Sequence, residues 1–183
     1  MMQIVNSTIS QLVIIDMQVR LAVAMPTLSM QQVTKNCCIL AQAAKLFDVT
    51  TLLTEQYPKG LGETLSEIMQ LVGNAKPIIK TAFSACSEPK FNQRLSRDNS
   101  QLILTGMEAH VCVMQTALAL LQMQKQVFIV EDAIISRNES NKINALARLR
   151  DAGCVITNTE SILFEWLENA NHEFAKQLFN LVK

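Results

Sequence analysis

Three residues of chemical interest stand at or shortly beyond the close of an apolar run. Asp16 ends QLVIID, Lys80 ends PIIK, and Cys112 follows six residues after the glycine that ends QLILTG. A thiol attacks as its thiolate, a carboxylate can take the thiol proton and return it, and an ammonium steadies negative charge. The approach to the cysteine, TGMEAHVCV, has a strand-ending glycine and then a short loop. Amides of such a loop and of the first helical turn can point at an anion. The helix dipole and Lys80 are both expected to favour the Cys112 thiolate, since a cationic neighbour moves a pKa by roughly one to three units. Taken singly, each residue also has a plain reading. Asp16 suits an N-cap or turn, Lys80 a solvated rim charge, and Cys112 a small core residue. Their conjunction at strand ends that can converge is what points to a nucleophile, a base and an electrostatic helper without histidine.

Composition narrows the alternatives. The 183 residues include 16 basic and 16 acidic side chains, a formal charge of zero, 49% hydrophobic and 17% charged residues. That suits one domain spanning residues 1–183 with a sizeable core, not a disordered polyampholyte. Net neutrality without a basic run argues against nucleic acid as partner. Apolar runs fall short of the roughly 20 residues that cross a bilayer, so no membrane partner is expected. The start, MMQIVNSTISQ, has no basic residue before an apolar stretch. No signal peptide is read there, and a cytoplasmic location is expected.

Cys37, Cys38, Cys86, Cys112 and Cys154 are odd in number and lack C-x-x-C spacing, and the histidines are His110 and His172. Neither a disulfide framework nor a several-histidine metal site follows, so no metal and no cofactor is expected. No G-x-S-x-G elbow is present either. Cys37, Cys38 and Cys154 read as core residues, and Cys86 as incidental.

The elements that must position the three residues alternate in type. Strands are expected at 11–16, 49–54, 77–80, 101–106, 126–130 and 153–157, mostly too continuously apolar for a half-exposed sheet. Helices are expected at 28–46, 61–72, 110–124, 141–152, 160–169 and 172–182. The helix at 28–46 turns Met30, Val33, Cys37, Leu40, Ala41 and Ala44 to one face, and that at 141–152 turns Ile143, Leu146 and Ala147 inward. Alternation of this kind predicts a three-layer α/β/α fold around a mainly parallel sheet of about six strands. Ligands of such sheets bind beyond the carboxyl ends of the strands, where strand order reverses. Asp132, at the end of the fifth strand, reads as a structural bonder of loop amides, and Trp166 as a packing residue.

The sequence resembles the isochorismatase-like cysteine hydrolases across essentially the whole chain. LVIIDMQ, PIIKTAFSAC and LTGMEAHVCVMQTALAL carry the match, and LLTEQYPKGLG with EDAIISRNESNKINALARLRDAG is similar to the isochorismatase domain-containing subgroup. The resemblance implies that Cys112 is the nucleophile, Asp16 the general base and Lys80 the residue that stabilises the thiolate. It also implies a non-proline cis peptide between Met107 and Glu108, and an oxyanion hole formed by the amides of Glu108 and Cys112. Nicotinamidases of this family bind metal through an Asp-x-His pair, where this chain has Glu55, Gln56 and Tyr57.

The implied activity is metal-independent hydrolysis of a C–N bond in a small amide or carbamoyl-type substrate. Alternatives are vinyl-ether hydrolysis using Asp16, with Cys112 a bystander, and a non-catalytic binding module on the same fold. Candidate substrate-binding residues are Gln56, Tyr57, Phe83 and His110. A homo-oligomer is expected, from the family and from Ile162, Leu163, Trp166, Leu167, Phe174, Leu178, Phe179 and Leu181, which one small domain is expected to leave partly uncovered.

Overall fold

A computed structural model describes residues 4–73 and 75–182. Its centre is a six-stranded sheet in the order β3-β2-β1-β4-β5-β6, with every pairing parallel. The strands are β1 (Ser10–Ile15), β2 (Thr50–Gln56), β3 (Ile78–Lys80), β4 (Gln101–Met107), β5 (Gln126–Ile135) and β6 (Val155–Thr157). Every residue of β1 and β4 is buried, as continuous apolar runs require at the middle of a sheet covered on both faces.

The helices, in chain order, are α1 (Val19–Ala22), α2 (Thr27–Leu46), α3 (Pro58–Leu61), α4 (Ser66–Met69), α5 (Pro89–Arg94), α6 (Met114–Gln122), α7 (Glu139–Asp151), α8 (Thr159–Leu167) and α9 (Ala175–Leu181). Strand side chains alternate between two cores. Leu12 and Ile14 pack with α2, α8 and α9, while Val13 and Ile15 pack with α5, α6 and α7. This is the three-layer α/β/α arrangement. Strand order reverses between β1 and β4, so the ends of these two strands open the crevice where ligands of such sheets bind. Among the described residues no helix is long and apolar enough to cross a membrane.

Several boundaries differ from the sequence expectation, each for a physical reason. A continuous helix at 61–72 does not form. Gly62 has φ +79°, Thr64 bridges to Gln18, and the Glu55 carboxylate accepts from both the amide and hydroxyl of Thr64 at 2.7 Å. Those tertiary bonds override the helical pattern until α4. Strand β5 runs on through Ile135 because, past an irregularity in β4, Ile134 and Ile135 pair with Gly106 and Met107. The exposed Glu131 interrupts the apolar run there.

The inward face of α7 is Ala145 and Leu149, with Leu146 partly buried, whereas Ile143 is 61% exposed and Ala147 is exposed. On α2 the expected face is the buried one, all six residues included. Asn36, a polar residue outside that set, is buried too, and its side-chain amide donates to the Asp132 carbonyl at 2.7 Å.

The terminal apolar residues do not form an open patch. Ile162, Leu163, Trp166, Leu167 and Leu178 are buried, and Phe174, Phe179 and Leu181 pack against the same core. Aromatic contacts of Phe47 with Trp166 (6.1 Å between ring centroids) and with Phe174 (5.4 Å) close this corner.

Candidate active site

Asp16 follows β1 with φ 52°, a left-handed conformation that an aspartate tolerates better than a branched residue. Its amide donates to the Thr54 carbonyl at 3.1 Å, and the Thr54 hydroxyl donates to Oδ1 at 2.7 Å. Lys80, the last residue of β3, brings Nζ to 2.7 Å from Oδ2, and neither side chain is exposed. Oδ2 nevertheless has no directed hydrogen bond. The 2.7 Å separation identifies an ion pair, and the missing direction leaves a lone pair of Oδ2 open to another donor.

The ammonium also donates to Gln56 Oε1 at 2.6 Å and to the carbonyls of Phe83 and Ala82 at 3.2 and 3.3 Å. A buried charge demands such company. Gln56 is itself held: its Nε2 donates to the Thr81 carbonyl at 2.8 Å, and its amide donates to Gln18 Oε1 at 2.8 Å. Buried Gln18 returns Nε2 to the carbonyls of Gln56 and Gly62. Gln18 thus fixes the strand end that fixes Lys80.

Cys112 sits in a single π-helical turn, Ala109–Val113, that leads into α6, and it is 6% exposed. Its thiol lies within electrostatic reach of both Asp16 and Lys80. Burial pushes the thiol up to about 12, the Asp16 charge adds to the rise, and Lys80 opposes it. The sequence expectation of a favoured thiolate is therefore reversed for the resting site. Loss of hydration and a neighbouring carboxylate together outweigh one ammonium.

The turn between β4 and Cys112 depends on Gly106. Its φ is +111°, and a Cβ at this position would fall 2.0 Å from the Ile15 carbonyl oxygen, so β1 and β4 approach too closely there for any side chain. The Met107–Glu108 peptide is cis. The Glu108 carboxylate accepts from Arg137 N and Nε, each at 3.1 Å. His110 Nδ1 lies 2.9 Å from Ser136 Oγ, so this ring is held at the site's edge and is not simply solvated.

The remaining candidates fall around this cluster. Tyr57, at φ 37°, is 54% exposed, and its amide donates to the Lys80 carbonyl at 2.9 Å. Phe83 is 53% exposed, on the loop whose carbonyl receives Lys80. Glu55 is occupied by Thr64, and among the described residues no group of three or more His, Cys, Asp or Glu side chains is arranged to hold a metal ion. Asp132 accepts from Thr159 N and Oγ1 at 2.8 and 2.9 Å, the structural role expected of it.

Sequence reasoning missed Thr54, Gln18 and Arg137. A threonine closing the core of β2 and a glutamine two residues after Asp16 were available signals. Arg137 had none.

Residues 10–161 match the isochorismatase domain family. The chain belongs to that family. Isochorismatase domain-containing protein 2 of Danio rerio is 37% identical over 175 residues, which cover 94% of this chain and 86% of that protein. Among solved structures, the MAR1 ribonuclease of Caenorhabditis elegans superposes with a TM-score of 0.93 at 31% identity, covering 98% of this chain and 92% of that one. The YcaC gene product of Escherichia coli, described as an octameric hydrolase of unknown specificity, shares the fold with a TM-score of 0.89 at 22% identity, covering 97% and 90%. The isochorismatase-family chain thus has a hydrolase fold, with its buried cluster at the strand-order reversal.

Proposed function

We propose that this protein is a metal-independent cysteine hydrolase that cleaves a C–N bond of a small amide or carbamoyl compound. The observation that carries the reading is the single buried cluster of thiol, carboxylate and ammonium at Cys112, Asp16 and Lys80. With the thiol pushed up to about 12, Cys112 is protonated at rest, and Asp16 must take the proton as the sulfur–carbon bond forms. Lys80 holds the carboxylate in place and offsets the negative charge that arrives with the thiolate. The amides of Glu108 and Cys112 receive the oxyanion of the tetrahedral adduct. When the C–N bond breaks, Asp16 returns its proton to the leaving amine, and water then hydrolyses the thioester.

Tyr57, Phe83 and His110 are the substrate-facing residues in this reading. Gln56 acts through Lys80, because its side-chain amide is already occupied on both sides. The C. elegans relative is named a ribonuclease, but a formal charge of zero and a lysine already paired with Asp16 leave this chain little to hold a phosphodiester.

The protonated thiol also suits a second reading, in which Asp16 acts as an acid on a vinyl ether and Cys112 is a bystander. One comparison separates the two. Cys112→Ala abolishes ammonia release from small amides in the first reading, and leaves ether cleavage intact in the second.

A further inference from the structure

The side chain of Glu108 has no part in the steps above, yet it is buried and fully engaged. Glu108 stands between β4 and the π-helical turn that carries Cys112. Its carbonyl accepts from the amides of Val111 and Val113 at 3.0 and 3.3 Å, which ties it to the start of that turn. Its carboxylate accepts from the Arg137 amide and, at both oxygens, from Arg137 Nε, all at 3.1 Å. Arg137 lies just beyond β5, so the residue bridges the end of one strand to the loop after its neighbour. His110 completes the cluster, with Nδ1 2.9 Å from Ser136 Oγ and 4.0 Å from Glu108 Oε2, and with Nε2 3.5 Å from Asn141 Nδ2. Among the described residues the Glu108 N–H itself donates to no protein acceptor.

We infer that the Glu108 carboxylate and Arg137 are positioning residues that hold the Glu108 amide where the oxyanion develops. The inference rests on the reading of Cys112 as an acyl nucleophile. An oxyanion donor contributes only if it is fixed before the charge appears, because a donor that must reorient loses most of its advantage. A charge-assisted guanidinium–carboxylate contact reinforced by a backbone amide fixes both position and rotation of the residue. Arg137 is not buried: its side chain is 60% exposed. Its contact with Glu108 therefore contributes little to overall stability and can be altered without emptying a core.

Two probes of Cys112 separate this role from a general structural one. p-Nitrophenyl acetate acylates the thiol through a tetrahedral oxyanion: the sulfur–carbon bond forms, the ester C–O bond breaks, p-nitrophenolate leaves, and the thiol proton passes to Asp16. Iodoacetamide alkylates the same sulfur by displacement of iodide, with release of the proton and no oxyanion. Rates are compared for the unmodified enzyme, Arg137→Met, Glu108→Gln and Glu108→Ala, with Cys112→Ala as background.

Arg137→Met should slow acylation by about tenfold, less than the about 10²–10³-fold loss from removing an oxyanion donor outright, while alkylation stays unchanged. Glu108→Gln, which keeps an acceptor for Arg137, should recover part of what Glu108→Ala loses. Equal slowing of both reactions, or no slowing of either, overturns the inference and leaves the nucleophile reading standing. Absence of Cys112-dependent acylation in the unmodified enzyme overturns the nucleophile reading, and this inference with it.

Discussion

Lys80 Nζ lies 2.7 Å from Asp16 Oδ2 with both side chains sealed from solvent. Two charges removed from water at this distance are tolerable only together, because each is the other's replacement for hydration. The pair joins the ends of β1 and β3, strands that flank β2, and Thr54 of β2 adds a third contact to the carboxylate. The same residues that are read as chemistry thus also tie down the carboxyl end of the sheet.

Breaking the pair should therefore cost stability as well as activity. Lys80→Met keeps the aliphatic stem and leaves Asp16 without its counter-charge. Denaturant unfolding should show a loss of about 3–5 kcal/mol, the usual result of orphaning one buried partner. Replacing both residues, Asp16→Asn with Lys80→Met, should restore part of that loss while activity stays absent. Equal stability of Lys80→Met and the unmodified protein would contradict a buried ion pair.

The state of the thiols fixes the sign of an alkaline effect. Burial raises Cys37, Cys112 and Cys154 from 9.0 to about 12 and Cys86 to about 11. Between pH 9 and about 12 the unfolded chain has released these protons and the folded chain has not. Stability is complete below that window and falls as pH rises through it. Thermal unfolding across this range should show the decline. Thiolate ultraviolet absorbance should be missing from the native protein at neutral pH, and a Cys112 thiolate seen there would contradict the resting state described here.

Gly106→Ala should be among the most damaging single-atom additions in the chain. The positive φ alone costs roughly 1–3 kcal/mol in a residue with a side chain, and the added carbon meets the Ile15 backbone at 2.0 Å. Because β1 and β4 must part to admit it, Asp16 and the Cys112 turn should shift against each other. Unfolding curves and Cys112 alkylation should both change, whereas Gly73→Ala, where nothing lies within 4 Å, should leave alkylation unaltered.

Self-association should be visible in sedimentation at micromolar concentration as a multiple of 20.4 kDa. Its support is not the terminal helices, which are packed. It is the apolar side chains exposed elsewhere, among them Val23 at 87%, Leu28 at 82%, Ile79 at 61% and Phe83 at 53%. A 20.4 kDa monomer would contradict it and leave the catalytic reading untouched.

The candidate cluster was legible because apolar runs mark the strands: Asp16 and Lys80 close two of them, Cys112 follows a third by six residues, and that conjunction has fewer plain uses than any one of the three. The layered fold was legible for the same reason, since buried parallel strands leave continuous hydrophobic text. What supports those residues was not. Gln18 and Gln56 work by bonding backbone groups, and neither residue type at that spacing announces a partner 38 positions away. The segment at 61–72 carries a helical pattern that loses to the Glu55 and Gln18 contacts, which depend on tertiary approach. The protonated thiol runs against the sequence expectation because a neighbouring cation is visible in sequence, whereas depth of burial is not.

The proposed mechanism requires the Cys112 sulfur to form an acyl bond during turnover. Its most direct test is intact-mass analysis of rapidly quenched reactions with small amides that the enzyme turns over, followed by mapping of the modified peptide. An added acyl mass should appear on the peptide containing Cys112, vanish as substrate is consumed, and be absent from Cys112→Ala. Undiminished turnover by Cys112→Ala, with no acyl mass on the unmodified enzyme, would contradict it.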